Sequence, residues 1–142
     1  MASIIEHMLS HEELAFLLQK LYPGTVNGVD YLTAHWVDHG SAKQTGPATI
    51  IDWKRGDLAV PSDADIKALW QKHGKEYNDI AASNKARTQR NSMLSDVDTT
   101  INRIEDGGGD ASAWRNYRKA LRDVPQQTGF PHRIKWPDKP KE

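Results

Sequence analysis

A chain of 142 residues, 37% hydrophobic and 27% charged, has room for one domain or for a small domain with a helical appendage. Its 19 Lys and Arg balance 19 Asp and Glu, so it lacks the basic excess of a generic nucleic-acid binder. With no cysteine it has no disulfide framework, thiolate zinc site or cysteine nucleophile. No run of about 18 apolar residues marks a membrane span, and the N-terminus lacks a secretory pattern, so the expectation is a soluble protein made and used in a cytoplasm.

Ser10 followed by Glu13 is a capping box, in which each side chain satisfies a free backbone N–H of the other. Leu14, Leu17, Leu18 and Leu21 then recur at helical spacing, and Pro23-Gly24 stops the run. A first helix is predicted over about 10–22. Asn27-Gly28 is a turn signal. Val29–Val37 and Ala48–Arg55 are rich in residues that suit a pleated strand, and the polar stretch Asp38–Pro47 separates them. The pattern predicts a long-looped hairpin covered on one face by the leucine stripe, because a lone hairpin is only marginally stable.

Pro61-Ser62, with Asp65 at the capping-box position, opens a second helical region. Ile66, Leu69, Trp70, Tyr77 and Ile80 follow at helical spacing, with Gly74 interrupting them. From Ala81 to Asn102 the chain is polar and helix-compatible. Met93, Leu94, Val97, Ile101 and Ile104 form a narrow stripe there, suited to packing on a second helix of this chain or of another. Gly107-Gly108-Gly109 reads as a hinge. Asp110 or Ser112 then caps a last helix, with Trp114, Tyr117, Leu121 and Val124 on one face and Arg115, Arg118, Lys119 and Arg122 over much of the rest. Pro125 and Gly129 stop it. The end, FPHRIKWPDKPKE, holds three prolines and suits an extended segment that docks on a partner surface. Charge is segregated: Asp96–Asp110 is mostly acidic, and the chain from Arg115 onward is mostly basic.

Little in the chain points to catalysis. His35 lies in a predicted strand and His39 in a loop, so their spacing of four does not place them on one helix face, and His7 and His11 share that spacing but lie at the N-terminal end, so these read as surface histidines and no metal is assigned. Asp96 and Asp98 lie in a polar helical stretch with no apolar pocket to raise a carboxyl pKa. Nucleophile elbows, phosphate loops and the HExxH pattern are absent. The basic, aromatic C-terminal segment could stack bases and hold phosphates as a single-stranded nucleic-acid binder does. Its aromatics fall on a stripe, which argues for packing instead.

The runs RTQRNSMLSDVDTTI and WRNYRKALRDVPQQTGFPHRIKWPDKP resemble the C-terminal signature of phage tail assembly chaperones. The matching positions are Arg90, Asn91, Leu94 and Asp98, then Trp114, Tyr117, Arg118, Leu121, Arg122 and Asp123. They continue through Pro125, Phe130, Pro131, Trp136, Pro137 and Pro140. Thr99 stands where the family has Trp, so the packing of that segment is expected to differ. The resemblance covers roughly residues 87–140. Upstream, the GVDY and IIDWK segments and the PSDADIKALW helix are similar, more loosely, to the XkdW-like phage proteins.

The expected fold is α+β: a small helix-on-two-stranded-sheet unit over 1–61, a long helix or helical hairpin over 62–106, and a helical and extended module over 107–142. The resemblance implies a chaperone that binds a phage tail-fibre protein, by that protein's C-terminal region, and assists its folding or trimer assembly. The alternatives are a tail, baseplate or fibre-adaptor component retained in the virion, and a single-stranded nucleic-acid accessory protein. The partner-binding residues are assigned as Trp114, Tyr117, Arg118, Leu121, Arg122, Phe130, Trp136 and Pro137. No catalytic residue, cofactor or metal is assigned. The long helix offers a seam for a homo-oligomer, neither membrane nor nucleic acid is favoured as a partner, and the expected place is the host cytoplasm during phage assembly.

Overall fold

The computed structural model describes residues 7–141. The chain is α+β, in the order α1 (His11–Leu21), β1 (Tyr31–Ala34), β2 (Thr49–Trp53), α2 (Asp63–Asp106) and α3 (Ser112–Asp123), followed by a 3-10 turn at Val124–Gln126. The region after Ser62 that could have been one helix or two is one helix of 44 residues. Two compact units divide within it, between Tyr77 and Asn78, whereas the expected divisions were 61/62 and 106/107.

In the first unit the Ser10–Glu13 capping box forms in both directions and opens α1. Leu14, Leu17 and Leu18 are buried. Leu14 and Leu18 cluster with Tyr31, and Ala48, Ile50, Trp53 and Ile66 pack around them, so the leucine stripe covers the hairpin as expected. The strands pair antiparallel, with a bulge between Leu32 and Thr33. They are shorter than predicted because polar groups close the backbone locally at their ends. Val26 N–H donates to Asp30 Oδ2 at 2.7 Å, which folds residues before β1 into a turn. Beyond Ala34, the Gln44 amide donates to the carbonyls of Leu9 and Gly46 and draws the chain away from the ladder. Asn27 Oδ1 accepts from Thr33 N–H at 3.0 Å, and Gly28, at φ 91°, donates to the Tyr31 carbonyl. Gly28 adopts that left-handed backbone without the Cβ clash any other residue would meet.

Ser62 and Asp65 cap α2 reciprocally, at 2.9 and 3.2 Å. The Gly74 expected to interrupt the run does not break the helix. It makes room for Trp70, whose indole lies 2.8–3.1 Å from where a Cβ on Gly74 would sit. The same indole stacks on His7 at 4.6 Å. Phe16 meets Tyr77 edge-on at 5.3 Å, and Lys20 pairs with Glu76 at 2.5 Å, tying α1 to this part of α2.

In the second unit, Val97 and Ile101 of α2 are buried with Ala111, Trp114, Tyr117 and Leu121, and Met93, Leu94 and Ile104 pack at the margin. The narrow stripe is therefore covered by α3 of the same chain. The triple glycine read as a hinge is a Schellman stop. Gly108 (φ 74°) donates to the Glu105 carbonyl and Gly109 to the Ile104 carbonyl, each at 2.9 Å. A Cβ on Gly109 would meet Ile104 Cγ2 at 3.0 Å, so the turn presses the chain back onto the stripe. Among the described residues no buried side-chain polar atom lacks a hydrogen-bond partner.

Candidate partner-binding site

The C-terminal module is built from α3 outward. The N-cap position of α3 is Ala111, which has no side chain able to cap, in place of the expected Asp110 or Ser112; Asp110 Oδ1 accepts from the backbone and hydroxyl of Ser112, the next-but-one residue. These bonds, from the Ser112 hydroxyl first and its N–H second, hold the Asp110 carboxyl below the ordinary carboxylate range. From there the periodicity of α3 turns Trp114, Tyr117 and Leu121 inward, and Val124 follows at the start of the 3-10 turn; all four are buried. Trp114 and Tyr117 meet edge-on at 6.0 Å, a favourable geometry for two rings. Burial pushes the Tyr117 phenol pKa up, because the ionised form would lose its water.

The basic face of α3 is partly spent on the acidic part of α2. Arg118 pairs with Asp98 at 3.0 Å, and Arg115 pairs with Glu105. Lys119 and Arg122 are exposed. Pairing of this kind fixes the register of the two helices but adds little stability at an exposed surface.

Past α3 the chain folds back along its own unit. The Gln127 side chain donates to the Lys135 carbonyl at 2.8 Å and accepts from Lys135 N–H at 2.9 Å. The loop between them is tight: Arg133 N–H donates to the Gly129 carbonyl at 2.6 Å, and a Cβ on Gly129 would run into the Arg133 carbonyl. The Phe130–Pro131 peptide is cis. Phe130 is half-buried, with the Arg87 guanidinium 5.5 Å from its ring centre, and His132 Nε2 lies 2.6 Å from Asp79 Oδ1. The extended end then lays Trp136 against the helix-pair core and brings Lys139 Nζ to 5.6 Å from the Trp114 ring.

The eight residues assigned to partner binding thus fall into two groups. Trp114, Tyr117 and Leu121 are core residues that hold the module together. Arg118, Phe130, Trp136 and Pro137 are half-buried and Arg122 is exposed, and these carry the accessible surface. Trp136, assigned to partner binding, packs against the helix-pair core of its own unit and stays half-buried. Gln127, Arg87 and Asp79 were not singled out from the sequence. Gln127 and Arg87 lie inside the quoted runs but are not among the matched positions, and Asp79 lies upstream of them, so it is the fold that names all three.

No curated protein and no solved structure matches the chain. Residues 83–141 match the family model described as phage tail assembly chaperone protein, residues 14–78 match the one described as XkdW protein, and together they support a phage tail-related role.

Proposed function

We propose that this chain is a phage tail-fibre assembly chaperone. It binds the C-terminal region of a tail-fibre protein in the host cytoplasm, blocks premature association and assists folding or trimer assembly. It acts by binding and not by catalysis. The observation that carries the reading is the coincidence of the chaperone-family match, residues 83–141, with a compact unit running from Asn78 onward. The docking surface on this reading comprises Arg122, Phe130, Trp136 and Pro137, with Lys119 beside them on α3. Their mixture of cation, aromatic ring and proline suits an apolar, acidic segment of a partner.

Two observations weigh against a base-stacking platform. Trp114 and Tyr117 are buried and offer no face to a nucleobase, and Arg115 and Arg118 are engaged by carboxylates. Co-expression with the neighbouring fibre gene followed by pull-down tests the proposal. The fibre protein is retained by the wild-type chain and lost with Arg122→Glu. Equal retention by both would remove this surface from the account.

A further inference from the structure

Folding joins one member of each histidine pair that looked inert in the sequence. His11, the first residue of α1, meets His35, just beyond β1, with their Nδ1 atoms 3.2 Å apart. One ligand atom from each of His11, Glu12 and His35 can be chosen so that all lie within 4.8 Å of one another. Zinc–imidazole bonds are about 2.0–2.1 Å long, so two ring nitrogens on one tetrahedral ion sit about 3.3–3.4 Å apart. The observed separation is close to that edge.

The contacts around the pair point the same way. His35 Nδ1 accepts from the His11 backbone N–H at 2.9 Å, so it carries no proton. The Glu12 carboxylate lies 3.4 Å from His11 Nε2 and backs the ring from the side away from His35. The two Nδ1 atoms face each other at the spacing that two ligands of one ion would take. We propose that His11 and His35, backed by Glu12, form a binding site for a divalent transition-metal ion of the zinc class. The positive end of α1 opposes a cation here, and Glu12 and Glu13 in the first turn offset it. Both rings are half-buried and Glu12 is exposed, so an ion reaches the site from solvent. Coordination uses the lone pair of His35 that otherwise caps His11 N–H. One capping bond is exchanged for the metal bond, which makes the ion reversible rather than structural.

Calorimetric titration of Zn²⁺ into the tag-free, chelator-treated full chain tests the site. We expect one ion per chain, together with a shift of both imidazole nitrogen resonances. His11→Gln leaves the backbone bonds of residue 11 in place, and His35→Asn keeps an acceptor for the cap; each abolishes binding while the circular dichroism stays that of wild type. Glu12→Gln weakens binding by about tenfold. His39→Ala and His132→Ala leave it unchanged. Absence of binding by the wild type, or binding that survives both His11→Gln and His35→Asn, overturns the proposal.

Discussion

The side-chain amide of Gln127 bonds both backbone groups of Lys135, donating to its carbonyl and accepting from its N–H. One residue thereby does what a neighbouring strand would do, and the last prolines and Trp136 are laid along the unit instead of hanging free. Gln127→Ala removes both bonds. The expected loss is about 1 kcal/mol, since each exposed bond is worth about 0.5 kcal/mol at the low end of the usual range. The clearer sign is local: the Lys135 amide should exchange faster with solvent while the amides of α3 keep their protection. Unchanged protection at Lys135 would mean the clamp does not hold the segment.

Trp136 tests what the end of the chain is for. It packs against the helix-pair core but is only half-buried. Trp136→Ala should therefore destabilise the isolated protein by about 1–3 kcal/mol, less than the 3–5 kcal/mol typical of a fully buried aromatic. Denaturant melts measure this. Wild-type stability in the mutant would show that the ring contributes nothing to its own unit.

Gly74 and Trp70 form a pair whose sign can be reversed. In an ordinary helix interior Gly→Ala stabilises by about 1 kcal/mol. Here the new methyl would meet the Trp70 indole, so Gly74→Ala should destabilise the first unit. In a Trp70→Ala background the same substitution should stabilise. A double-mutant cycle by thermal melts checks both signs, and additive effects would contradict the contact.

Acid should loosen the hairpin end of the first unit. The side-chain hydrogen bonds of Arg55 hold the Asp57 carboxyl down at about 2, below its ordinary 3.8. Asp30 is lowered first by the Val26 N–H and then by Arg55. A depressed carboxylate pKa means that the folded state binds fewer protons than the unfolded chain. The contribution is whole above about pH 4 and is lost as pH falls towards about 2. Arg55→Met should flatten the dependence of melting temperature on pH in that window and leave the slope above pH 5 alone. An identical acid profile in the two proteins would rule the cluster out as its source.

Much of the fold was written in local signals. The Ser10–Glu13 and Ser62–Asp65 boxes mark helix starts that form as read, and the leucine stripe of α1 and aromatic stripe of α3 are the two cores. Periodicity states that a face is buried but not by what. The stripe from Met93 to Ile104 could have met another chain, and α3 covers it because the Gly108 stop returns the chain on itself. The assigned partner residues mixed two roles for the same reason: Trp114, Tyr117 and Leu121 are matched positions in the resemblance, and the fold makes them core. The facing of His11 and His35 spans a separation of 24 positions along the chain, beyond the reach of any spacing rule.

The proposed function is that the chain raises the yield of correctly assembled fibre. Its most direct test is the amount of soluble, trimeric fibre protein recovered when the neighbouring fibre gene is expressed alone, with the wild-type chain, and with the Arg122→Glu chain. Abundant trimer is expected only with the wild-type chain, and aggregated or monomeric fibre in the other two cases. Equal trimer yield in the absence of the chain would contradict it.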